Sequence, residues 1–194
     1  MTLFEFLMAI ASVVIAIALT EIFGGWGELL RTHIAPSLDW LHLAWSIVVV
    51  LYAIQYWTGI WPYRDVDFSA IYQVWFLIIP TLFIVLVAFA ITPKLAPGAE
   101  LNLREHYLSR RAPIFWGMAV FVTTAQIADF VILGLPFTWV GAALGLLLLG
   151  PAFSKKIWIH ASIMATNLFF LVSNAFTPSL FLVCLAPLLS LSHR

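Results

Sequence analysis

The feature that most restricts this chain is its succession of apolar runs, each close to the ~20 residues that a membrane-crossing helix needs. Charges and Pro/Gly clusters separate them. The first runs from about Leu3 to Phe23 and stops at Gly24-Gly25-Trp26-Gly27. The second is about Trp40 to Trp61, the third Ala70 to Thr92, the fourth Pro113 to Leu133, the fifth Pro136 to Phe153 and the sixth Lys156 to Phe176. A last stretch, Ser179 to Leu191, is apolar but short for a span. It fits a tilted seventh helix, a re-entrant segment or a helix packed inside an oligomer. Only 9% of the 194 residues are charged, and the mean hydropathy is +1.05. A soluble domain carries about 25% charged residues, so a water-soluble monomer is excluded. The expected fold is all-α: a single integral membrane domain over 1–194, a polytopic transmembrane helix bundle of six or seven spans, with seven preferred.

Basic residues set the expected orientation, because short loops rich in Lys and Arg stay in the cytoplasm. Arg31, Lys94, Arg104, Arg110, Arg111, Lys155 and Lys156 all fall on one side of such a bundle. The opposite side has only Arg64, beside Asp65 and Asp67. The N-terminus is therefore expected outside. A seventh span would return Arg194, and with it the C-terminus, to the cytoplasm. The first run lacks a basic n-region and a well-placed small-residue cleavage site, so it reads as an uncleaved span. A bacterial inner membrane is the expected location.

Several classes of function fall away on composition. The formal net charge is zero and there is no long basic run, which removes the attraction that nucleic-acid binding depends on. Cys184 is the single cysteine, so neither an intrachain disulfide nor a cysteine metal site can form. HExxH, G-x-S-x-G, S-x-x-K and P-loop patterns are missing, and no catalytic residue, metal or cofactor is expected. The chain reads as a non-enzyme. Asp65 and Asp67 could hold a divalent ion weakly, although a solvated loop accounts for them as well.

Aromatic residues gather around the loop between the second and third runs: Trp57, Trp61, Tyr63, Phe68, Tyr72 and Trp75. Amphipathic rings favour the headgroup level, so an interfacial belt is expected, with an outward aromatic cage for a cationic ligand as the alternative. The second run begins Trp40-Leu41-His42 and the sixth Trp158-Ile159-His160, and the third and last stretches carry internal prolines, Pro80 and Pro187. These correspondences suggest a 3+1+3 parallel repeat, an organisation found in small transporters.

Seven spans, N-out and C-in, with that repeat, resemble the SWEET and PQ-loop transporter architecture in outline. The first helix has no Pro-Gln pair, and Gly150-Pro151 is the only comparable feature of the fifth. The Trp-x-His start of the second run, Gln55 and Trp57 within it, and Leu103-Arg104-Glu105-His106-Tyr107 before the fourth are similar to those of small bacterial multi-pass proteins. That second resemblance covers most of the chain and implies no activity.

Ionisable groups inside spans are costly, about 2.5–3.5 kcal/mol at mid-helix on insertion scales, and usually face a bundle interior or a cavity. Asp129 stands out on that ground. Gln126, three residues earlier, shares its helix face, and the pair suits a cation, a proton relay or a polar solute. A polar clamp between helices is the structural alternative. In the sixth run His160, Asn167 and Asn174 recur every seven residues, forming one line ~21 Å long at 1.5 Å per residue. Such a line suits a solute or ion pathway, or else a helix buried against its neighbours. Glu21 near the inner end of the first run is either a proton or cation site or an interfacial carboxylate. His42 and His160, each in a Trp-x-His pair, could form a gate sensitive to internal pH, or could each bond a neighbouring loop. Gly141 and Gly145 have GxxxG spacing, which permits close helix approach, as within a packing face or a protomer interface. Leu103 to Arg111 reads as a short surface helix whose basic residues can meet anionic lipid.

The expected function is therefore a small transporter or channel for an ion or small polar solute, with a polar path along the sixth helix and Asp129 and Gln126 nearby. The alternative is a non-catalytic membrane subunit or sensor that binds lipids or other membrane proteins. Membrane lipids, a second copy of the chain in a homo-oligomer, and a membrane-protein partner are the expected contacts.

Overall fold

The computed structural model describes residues 2–31, 39–94, 102–136 and 138–176, with side chains through 173. These residues form an all-α bundle: α1 (Leu3–Arg31), α2 (Trp40–Gly59), a 3₁₀ turn (Trp61–Asp65), α3 (Ile71–Ile91), α4 (Leu103–Leu133), α5 (Trp139–Phe153) and α6 (Ile157–Phe176). Four stretches are long and apolar enough to cross a membrane: α1, α2 with its 3₁₀ turn, α3 and α4. The helices α5 and α6 are shorter and apolar. Large side chains such as Val13, Leu86, Leu146 and Phe169 remain exposed, at 61, 59, 69 and 68%. A lipid-facing surface needs such residues, since hydrocarbon rewards no polar group there. The stretch 179–191, and with it the seventh span and the second half of the repeat, lies outside the described residues.

Two boundaries differ from the sequence expectation by two turns or more. The helix α1 does not stop at Gly24-Gly25-Trp26-Gly27 but runs through to Arg31. Glycine weakens a helix by ~1 kcal/mol relative to alanine without forbidding it, and Gly25 is buried where a Cβ would lie 2.4 Å from Thr92 Cγ2. The glycine gives α3 room to end against α1. Likewise, 103–111 is no separate surface helix; it forms the opening turns of α4, which continues through Pro113. Asn102 caps this start by accepting the Glu105 N–H at 3.2 Å. Asp39 caps α2 by accepting from Leu41 N at 3.0 Å and also pairs with Arg104 at 3.5 Å, tying the starts of α2 and α4 together.

The helix α4 is the central strut, packed along α3 and α5, while α1 lies on α3 and α2 on α6. Small residues permit the close approaches. A Cβ on Gly117 would come 2.5 Å from Val87 Cγ2 of α3, and one on Gly145 would come 2.9 Å from Thr123 Oγ1. Gly141 meets the Gln126 side chain, so the GxxxG face of α5 packs on α4 within the chain. Aromatic rings fill the middle of the bundle, with Trp45 and Phe115 edge to face at 4.7 Å and both fully buried. Within α3, Pro80 removes the donor for the Phe76 carbonyl, and one residue along Tyr56 donates its O–H to the Leu77 carbonyl at 2.6 Å.

Candidate functional site

The helix ends alternate, so the C-terminal ends of α2, α4 and α6 lie with the 3₁₀ turn at one end of the bundle. Between these helices and α5 is a cavity of about 270 Å³. Its walls come from Tyr52, Gln55 and Tyr56 of α2, Tyr63 of the 3₁₀ turn, Phe121, Gln126 and Asp129 of α4, Leu144 of α5, and Phe170 and Leu171 of α6. A smaller cleft of about 70 Å³, reaching Pro136 and Thr138 in the α4–α5 connection, shares Gln126 and Asp129 with it.

Local structure holds the carboxylate in place. The helix α4 ends in Gly134, whose φ of 64° is a left-handed conformation that glycine adopts without a Cβ clash. The N–H groups of Gly134 and Leu135 both turn back to the Asp129 carbonyl, which fixes the backbone beneath the side chain. Tyr63 donates its O–H to Asp129 Oδ1 at 2.5 Å, a spacing that suits a phenol donating to a carboxylate. Among the described residues the second carboxylate oxygen accepts no hydrogen bond, and no Lys or Arg pairs with it. Gln126 accepts from Thr138 Oγ1 at 3.1 Å. It lies across Gly141, where a Cβ would sit 1.4 Å from Gln126 Nε2.

The remaining expected residues are distributed differently. Asn167 is fully buried beside the cavity wall; its Oδ1 accepts from Tyr52 at 2.6 Å and its Nδ2 donates to the Ile163 carbonyl at 2.8 Å. His160 is at the opposite end of the bundle and fully buried. Its Nε2 lies 2.8 Å from the Ser154 carbonyl, which can only accept, so Nε2 carries the proton and Nδ1 accepts from Tyr107 O–H at 2.6 Å. His42 makes the matching contact, donating Nε2–H to the Ile91 carbonyl at 2.8 Å. His42 thus satisfies a carbonyl that α3 leaves without a helical partner at its C-terminal end, and His160 the carbonyl of Ser154, the residue that follows α5 as its cap. Glu21 lines a separate cleft at that end with Glu28, Thr92 and Lys94. The Asn174 side chain lies outside the described residues, so the described part of the α6 line is His160 and Asn167, each committed to partners inside the protein.

The cavity's tyrosines, Tyr52, Tyr56 and Tyr63, are not among the residues that the sequence marks out for a site. Tyr63 belongs by sequence to the interfacial aromatics, but it is 3% exposed and turned inward, whereas Trp57, Trp61, Tyr72 and Trp75 are exposed. The available signal was spacing: Tyr52, Tyr56, Gly59 and Tyr63 recur at intervals of four, three and four, a helical stripe. Among the described residues no group of three His, Cys, Asp or Glu side chains could hold a metal ion.

Apolar helices with lipid-suited outer surfaces, packed around a cavity that contains one carboxylate, define an all-α integral membrane protein. No protein-family model, curated protein or solved structure matches the chain.

Proposed function

We propose that the chain is a small membrane transporter or channel for an ion or small polar solute, recognised in the Asp129–Gln126 cavity. The N-terminus is outside, which makes this cavity the external vestibule, and the basic end of the bundle faces the cytoplasm. One observation carries the reading: a carboxylate inside an apolar bundle lines a cavity and keeps one oxygen uncommitted among the described residues. A purely structural clamp would be expected to commit both oxygens to neighbouring helices. The inward route from the cavity passes the Tyr52–Asn167 bond, which must break or turn aside for a solute to advance. Purified protein in liposomes should conduct or exchange protons, alkali cations or small polar solutes, and Asp129→Asn should reduce the flux at least tenfold. Absence of flux across all three classes would refute the proposal and favour a non-catalytic membrane subunit.

A further inference from the structure

We infer that the cavity takes a small organic cation, an ammonium group held by Asp129 and walled by aromatic rings. The inference rests on the cavity being the recognition site. Three observations bear on it independently. Among the described residues the carboxylate has no basic partner, so within them it is an acceptor that an arriving cation can pair with. The rings of Tyr52, Tyr56, Tyr63, Phe121 and Phe170 line the same space, and aromatic faces attract ammonium groups through their quadrupoles. The cavity also reaches the last turn of α2 at Tyr56 and Gly59, where the helix dipole favours positive charge.

The same features argue against other occupants. A hard metal ion needs about six to eight oxygen ligands, whereas the walls are dominated by rings and aliphatic groups, with Asp129, Gln126 and Gln55 as the amide and carboxylate oxygens. An anion would oppose both Asp129 and the end of α2. At about 270 Å³ the cavity falls at the lower limit of ordinary ligand pockets, ~300–1,000 Å³, which suits a group the size of trimethylammonium. That group can come from a free amine or from a lipid headgroup at the membrane surface.

The test uses the full chain in phosphatidylglycerol nanodiscs, with radiolabelled choline as probe, tetramethylammonium as competitor and 3,3-dimethylbutan-1-ol as the neutral carbon analogue of choline. Choline should bind, tetramethylammonium should displace it, and the neutral alcohol should compete at least tenfold less well. Asp129→Asn should weaken choline at least tenfold and Phe121→Leu several-fold. If Asp129→Asn does not fold, Asp129→Glu should keep the preference for choline over the alcohol while Phe121→Leu shrinks it. Equal competition by the alcohol, or choline binding that survives a folded Asp129→Asn, overturns the inference. Flux of a neutral polar solute alongside that result would leave the transport proposal standing, whereas choline binding without flux would remove transport and retain the cation site. Replacing the lipid with phosphatidylcholine separates the sources: a headgroup occupant lowers apparent choline affinity at least tenfold, a free amine leaves it unchanged, and either outcome supports an ammonium site.

Discussion

The hydrogen bond from Tyr52 to Asn167 joins α2 to α6 and offers a direct measure of what holds α6 in place. Tyr52→Phe keeps the ring, which packs edge to face on Phe121 at 5.7 Å, and removes only the O–H. Asn167 Oδ1 then loses its donor at 0% exposure, while Nδ2 stays on the Ile163 carbonyl. An unsatisfied buried acceptor costs ~1–3 kcal/mol, but interhelical bonds in membranes average ~0.6 and reach ~1.7 kcal/mol, because the unfolded chain also finds partners. With half the amide still bonded, the expected loss is ~1 kcal/mol. Asn167→Leu should cost no more than this, since Tyr52 lines the cavity and its O–H can turn to water there. The double variant should then be less destabilised than the sum, with a coupling of ~0.6–1.7 kcal/mol. Unfolding by SDS in mixed micelles, followed by circular dichroism, supplies the four free energies. A coupling below ~0.3 kcal/mol, the ordinary scatter of independent sites, would show that the bond does not hold α6.

Other perturbations report on separate parts of the bundle. Tyr107→Phe leaves His160 Nδ1 without its donor in a fully buried position and should lower stability by ~1–3 kcal/mol, measured by the same unfolding titration; an unchanged midpoint would contradict the tautomer assigned here. Gly117→Ala places a methyl 2.5 Å from Val87 Cγ2 and should destabilise by ~1–3 kcal/mol, with recovery in the double variant carrying Val87→Ala. Failure of that rescue would mean that α3 and α4 do not approach at this glycine. Gly134→Ala forces a left-handed residue with open space around it, so its expected cost of ~1–2 kcal/mol is conformational alone, and no substitution of a neighbour should relieve it.

How legible each part was from sequence depended on whether its cause was local. Spans were readable because burial in hydrocarbon depends on consecutive residues, and the expected starts of α2, α3 and α6 lie within a residue of those observed. The glycines of α1 misled because a break is inferred from propensity, whereas Gly25 is kept helical by a neighbour, Thr92, far along the chain. Pro113 misled in the same way: its effect is tolerable inside a helix whose other face is packed. Asp129 and Gln126 were legible as intramembrane polar groups one turn apart. Their partners, Tyr63 and Thr138, are on other elements, and no spacing within α4 indicates them.

The sequence by itself determined that the chain is an all-α membrane protein and that Asp129 is a carboxylate within one of its apolar runs. Both follow from the cost of polar groups in hydrocarbon, which is charged residue by residue. Tertiary structure alone decided what each polar group does. It brought Asp129 and Gln126 to a tyrosine-walled cavity, bonded Asn167 to Tyr52, and set His42 and His160 on the carbonyl ends of α3 and α5. The physical reason is that a buried polar group must find a partner in three dimensions, and helix packing brings those partners from residues as much as 115 positions away.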